Sequence, residues 1–198
     1  MMRVAWVALV GALLLSGCVA PVGPVEVTRF AAPDAALGRG PIQVMPAPGV
    51  DGSSLEARTY ASAVARQLVR LGYTEQIGGG ASQVATVRVE RQTWRPDRRG
   101  GPVNVGVGGA TGSYGSGLGV GIGLDLSGPP PEQTETRLFV QIRDRVADRP
   151  LWEGRATFVV RADSPLADTS LGAERLAEAL FRDFPGRSGE TVLVKPSQ

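Results

Sequence analysis

From Thr134 to Asp144 polar and apolar residues alternate, with Thr136, Leu138, Val140 and Ile142 on one side. From Leu151 to Ala162 the alternation returns through Trp152, Gly154, Ala156, Phe158 and Val160. Successive side chains of a strand point to opposite faces, so each run offers one packed face and one wet face. Asp144-Arg-Val-Ala-Asp-Arg-Pro150 between them is rich in turn formers, which predicts a hairpin. Val84 to Trp94 is a third run, with Ala85, Val87 and Val89 opposite Thr86, Arg88 and Glu90. Its alternation fails at Arg91-Gln92, where a bulge or an exposed end is expected. Strands of this kind must cover their apolar side with something else.

Two amphipathic segments can supply the cover. Between Ser53 and Leu71 the stripe Ala57, Ala61, Val64, Ala65, Leu68, Leu71 predicts a helix. Ser53 and Glu56 have capping-box spacing, and Gly72 stands where a left-handed C-terminal cap would be. A second helix is expected from Thr169 to Phe184, with Asp168 as N-cap and Pro185-Gly186 ending it. Its stripe is Ala173, Leu176, Ala177, Leu180, Phe181 and Phe184. Val25 to Phe30, Ile42 to Met45 and Thr191 to Val194 are short further strands, and the prolines and glycines around the first suggest an edge position or partial order. The expected fold class is α+β, a mainly antiparallel sheet with two helices packed on one face.

Residues 100–128 do not fit that frame. Val103, Val105 and Val107 alternate with Asn104, Gly106 and Gly108, and Val120, Ile122, Leu124 and Leu126 alternate with Gly119, Gly121, Gly123 and Asp125. A phosphate-cradling loop needs a glycine run that opens a helix, and none follows here. A flexible linker needs no alternation. A long Gly-rich β-hairpin accounts for the pattern, with branched residues on one face and almost bare backbone on the other. Glycine weakens a strand, so its repetition points to close approach by another backbone, an aromatic ring or a membrane surface. The glycine face Gly106, Gly108, Gly119, Gly121 and Gly123 is a candidate partner contact; packing of the arm on its own sheet is the alternative. Trp94-Arg95 and Arg98-Arg99 are a second candidate contact, suited to anionic headgroups or envelope polymers, or simply a solvated loop.

The N-terminus has its own logic. Arg3 precedes an apolar stretch from Val4 to Leu15, and Leu15-Ser-Gly-Cys18 follows. The stretch spans roughly 18 Å as a helix, short of the roughly 30 Å hydrocarbon core, so it is expected to be a signal peptide rather than a membrane span. Leu-Ser-Gly-Cys resembles the lipobox of bacterial lipoproteins, which implies cleavage before Cys18 and lipid attachment to it. Several acyl chains on one residue would anchor stably. Val19 replaces the Asp that marks inner-membrane retention in familiar lipoproteins, so the resemblance implies the outer membrane with the domain in the periplasm.

Composition narrows the chemistry. There is one cysteine and no histidine, and the formal charge is +2. With Cys18 lipidated, no thiol remains for a disulfide, a nucleophile or a metal. The commonest general base and zinc ligand are also missing. A charge this near zero argues against nucleic acid as a partner. Asp144 and Glu153 could meet across the expected hairpin as a carboxylate pair, although turn roles suit them better. No enzyme activity, metal or cofactor is expected.

The lipobox, the helix ending Leu71-Gly-Tyr73, the strand at 84–90, the Gly-rich hairpin, and the pair Val140-Gln-Ile-Arg-Asp144 and Leu151-Trp-Glu-Gly-Arg155 occur in an order that resembles the bacterial lipoproteins grouped as domain of unknown function 4136. The resemblance covers residues 25–184 and brings no activity or catalytic residue with it. The organisation read from the chain is a signal peptide at 1–17, a lipidated tether with the first strand at 18–40, and one α+β domain at 41–198. Two functions follow. In one, the chain is a non-catalytic envelope lipoprotein, held to the membrane through Cys18, with a structural, assembly or interaction role toward an envelope protein or polymer. In the other, it binds a small apolar or lipidic molecule between helices and sheet.

Overall fold

The computed structural model describes residues 23–97, 103–112, 115–124 and 128–195. The alternating runs become the centre of a seven-stranded sheet. They are β4 (Gln83–Trp94), β7 (Gln133–Asp144) and β8 (Pro150–Arg161), and β7 pairs antiparallel with both of the others. β1 (Val25–Ala31) pairs antiparallel with β8, and β9 (Thr191–Val194) with β1. On the other flank β2 (Gly40–Pro46) lies beside β4 and β3 (Tyr73–Glu75) beside β2.

Both pairings of β2 are parallel, so the sheet is mixed and not mainly antiparallel as expected. The cause is the first helix, α1 (Leu55–Arg70), which carries the chain back along the sheet after β2. Strands on either side of such a crossover point the same way. One more expectation changes. β1 is not an edge strand, because β9 covers it. Arg91 and Gln92 lie in the exposed end of β4 and not at a bulge, because the strand pairs without interruption through them, and the register shift falls between Ile142 and Arg143 on β7.

Both helices lie on the face made by Val25, Val27, Ile42, Ala85, Val87, Leu138, Val140, Ile142, Ala156 and Phe158, all buried. On α1 the buried residues are Ala57, Tyr60, Ala63, Val64, Ala65, Gln67 and Leu68. That face is wider than the expected stripe because α1 packs on the second helix as well as on the sheet. The N-cap is Ser54, whose Oγ accepts from Ala57 N at 3.1 Å. Ser53 instead donates to Asp51 Oδ1, from its backbone N–H at 2.9 Å and its hydroxyl at 2.7 Å. Gly72 has φ +103°, the left-handed conformation a helix exit favours.

The second helix, α2 (Thr169–Phe181), follows a one-turn 3-10 helix at Pro165–Ala167. Asp168 caps it, accepting from Ser170 N at 2.8 Å. It ends three residues sooner than expected, and Phe184 turns back onto Trp152, ring centroids 5.2 Å apart. Among the described residues no helix is long and apolar enough to cross a membrane. Within the Gly-rich segment, β5 (Val103–Gly112) and β6 (Gly115–Leu124) pair with each other, antiparallel, as a separate two-stranded sheet.

This packing makes a differential prediction. Leu68 and Phe181 are buried and Val69 is half exposed. Leu68→Ala and Phe181→Ala should each cost about 2–5 kcal/mol in chemical denaturation, and Val69→Ala much less. Equal small losses at all three would mean that the helix faces are wrongly assigned.

Candidate functional site

With the helices on one side, the wet faces of the strands form a continuous outer surface. Its layout follows from the pairing register. Arg88, Phe139, Arg155, Thr28 and Thr191 form one row across five strands, and Met45, Thr86, Gln141, Glu153 and Phe30 form the next. Between these rows lies an open concavity of about 610 Å³, bounded by Ala47 and Pro48 at one end and Phe30 at the other. Phe30, the next-to-last residue of β1, is 52% exposed.

The chemistry of this concavity is mixed. The Arg88 guanidinium lies 4.6 Å from the centroid of the Phe139 ring, a cation–π arrangement that holds it in place. Gln141 Nε2 donates to Glu153 Oε1 at 2.6 Å. Of the arginines at outward positions on β4, β7 and β8, Arg88, Arg137, Arg143 and Arg161 each have a carboxylate as ion-pair partner, and Arg145 just past β7 donates to the Gln43 side chain. Arg155 has no ion-pair partner among the described residues. The Arg155 cation shares the concavity with the Glu153 carboxylate, the Phe139 ring and the Gln141 amide, a lining suited to a docked group that combines charge with a flat apolar surface.

The other candidates fall as follows. Trp94 is the half-buried last residue of β4, opposite Gln133. Arg95 is exposed and pairs with Glu132 at 3.2 Å, so the two strands are tied where the Gly-rich segment leaves and returns. Cys18, Arg98 and Arg99 lie outside the described residues. The register sets Gly106 opposite Gly121, Gly108 opposite Gly119 and Gly123 opposite Asn104.

Asp144 and Glu153 do not form a carboxylate pair. Asp144 accepts from the backbone N–H groups of Ala147 (2.8 Å) and Val146 (2.9 Å), which hold its carboxyl below the usual range. Glu153 stands opposite Gln141, farther along the strand. Tyr60 is buried at the helix contact, and burial pushes its hydroxyl up against the opposing pull of Arg91, so it stays neutral. Among the described residues no group of three or more His, Cys, Asp or Glu side chains could hold a metal.

A family model described as "Domain of unknown function (DUF4136)" matches residues 30–186, most of the chain. The chain belongs to this family. A curated relative, "Uncharacterized protein ZMO1243" of Zymomonas mobilis, is 38% identical over 63 residues, which is 32% of this chain and 24% of that protein. The match therefore spans about a quarter of the relative's length. Among solved structures the chain is similar to a PDZ domain protein from Parabacteroides distasonis, with 10% identity, a TM-score of 0.46 and coverage of 87% of this chain and 39% of that one. It is also similar to the PelC dodecamer from Paraburkholderia phytofirmans, with 14% identity, a TM-score of 0.48 and coverage of 83% and 99%.

Proposed function

We propose that this family member is a non-catalytic lipoprotein of the bacterial cell envelope, anchored through Cys18, that docks a partner on the outer face of its sheet. The observation that carries the reading is the concavity around Phe139 and Arg155, where the sheet offers a cation without an ion-pair partner among the described residues and, at Phe30, an exposed ring. Lipid on Cys18 would hold that face close to the membrane. A Gly-rich hairpin arm, spanning 100–128, is a second contact element of the same protein. Docking is favoured over a lipidic ligand held between helices and sheet because α2 lies too close to the sheet. A methyl group at Gly154 would come within 2.8 Å of Leu180 Cδ1, and one at Gly172 within 3.3 Å of Phe158 Cζ on β8.

The test has two arms in one strain. Cys18→Ser should abolish incorporation of clickable palmitate, and label retained at the wild-type level would refute the anchor. A photo-crosslinking residue at Phe139 should yield an adduct that Arg155→Glu removes without changing the melting temperature. An adduct that survives Arg155→Glu would refute the docking face.

A further inference from the structure

The Gly-rich arm has a more specific reading, which rests on the anchor proposed above for its orientation. We infer that β5 and β6 are a membrane-inserting pair of strands, and that hairpins from several copies of this chain close into one transmembrane barrel.

Four observations meet here. First, β5 and β6 are ten residues each. At about 3.3 Å per residue and about 40° of tilt, such a strand rises roughly 25 Å, the height of the apolar band of outer-membrane barrels. Second, from Val103 to Leu124 the sequence has no Asp, Glu, Lys or Arg, in a chain otherwise rich in arginine. Third, the register pairs Val103 with Leu124, Val105 with Ile122 and Val107 with Val120, and in the alternate rows Gly106 with Gly121 and Gly108 with Gly119, so branched and glycine rows alternate over this half of the arm, with Gly109, Leu118, Thr111 and Ser116 continuing the first set of rows. A barrel strand needs that division, apolar toward lipid and small or polar toward the lumen.

Fourth, the arm and the anchor share an end of the sheet. The arm leaves after Trp94 and returns before Gln133, and these two residues are opposite each other, with Arg161 next in the row. β1 runs antiparallel to β8 and starts at Val25, so the chain enters the sheet from that same end. Cys18 stands seven residues before Val25, a reach of at most about 25 Å. A lipid at Cys18 therefore directs the arm toward the bilayer.

Closure follows from the backbone. A lone hairpin in hydrocarbon would leave two edges of unpaired N–H and C=O groups, which lipid cannot satisfy. With two strands per copy, the smallest known barrels of about eight strands need about four copies. Glycine on the inner face then has a physical use, because it leaves a lumen where larger side chains would fill a small barrel.

The test uses the full lipidated chain in proteoliposomes of bacterial envelope lipid. Cys18 is the single native cysteine, and in the anchored form proposed above its sulfur would be consumed by the lipid. Val105→Cys, Ile122→Cys, Gly106→Cys and Gly121→Cys are labelled one at a time with a polarity-sensitive fluorophore. Labels at 105 and 122 should lose most of their emission to lipid-borne quenchers, and labels at 106 and 121 should lose it to an aqueous quencher instead. Stepwise photobleaching should count about four or more copies per spot. Emission that is insensitive to lipid quenchers at 105 and 122, lipid quenching at all four positions, or single-step bleaching would each overturn the inference. Palmitate labelling of the same preparations reads the anchor separately, so a failed arm and a failed anchor give different results. The two positions on each face keep the comparison intact if one variant does not fold.

Discussion

Trp152→Ala is expected to cost about 3–5 kcal/mol of folding stability, among the largest losses any single position in this chain can show. The ring is 1% exposed on the helix side of β8. It stacks on Phe181 at 5.4 Å and 19°, meets Phe184 at 5.2 Å, and donates its Nε1–H to the Pro185 carbonyl at 2.9 Å. The ring also lies over Gly154, two residues along the same strand. A Cβ built there would fall 2.3 Å from the indole ring and 2.8 Å from Leu180. Trp152 thus joins β8 to α2 and to the segment behind it, and removing it would leave a cavity lined by residues from all three. Gly154→Ala should cost about 1–3 kcal/mol by overpacking. In a Trp152→Leu background that cost should fall, because the atom it strikes is gone. Urea unfolding of the two singles and the double measures this coupling. A Trp152→Ala loss below about 1 kcal/mol, or additive effects at the two sites, would remove Trp152 from the centre of the core.

The position of Trp152 was legible because strand alternation reports which face a residue takes. The same signal places Leu138, Val140, Ile142, Ala156 and Phe158 in the core, where the structure has them. Alternation carries no information about strand direction. The parallel pairing of β2 with β4 depends on where α1 returns the chain, and that is a property of the connection and not of either strand. Cap identity was misplaced by one residue because Ser53 and Ser54 are both capable acceptors. Asp51 engages the first of them and leaves the second to the helix. The outer-face concavity was hidden for a related reason. Arg88, Phe139 and Arg155 could each be assigned to a polar face, but only the register puts them in one row. That Arg88, Arg137, Arg143 and Arg161 find carboxylates, and Arg155 does not, is a fact of pairwise geometry that spacing along the chain does not carry.

Arg29 breaks the pattern most sharply, and it leads to the second large effect. It follows Val25 and Val27 on the helix-facing side of β1, where alternation calls for an apolar residue, and it is 5% exposed. Its partners come from about 150 positions away in sequence. Nε donates to the Leu180 carbonyl at 2.9 Å, and Nη2 to those of Ala179 at 3.0 Å and Arg182 at 2.7 Å. These are carbonyls of the last turn of α2 and its C-cap, which a helix leaves without partners of its own. Burial lowers the guanidinium's pKa, and Asp183 and Glu190 pull it back up, so the charge persists at the negative end of the helix dipole. Arg29→Met keeps most of the stem's packing but strips the three carbonyls of their donors inside the protein. The expected cost is about 2–5 kcal/mol. Arg29→Lys should recover part of it, since one ammonium cannot reproduce the planar fork. The control is Arg155→Met on the outer face of the adjacent strand, expected to change stability by no more than about 0.5 kcal/mol. If denaturation gives Arg29→Met and Arg155→Met the same small loss, the bonds to the end of α2 contribute nothing, and the coupling of β1 to the helix must rest on apolar contact alone.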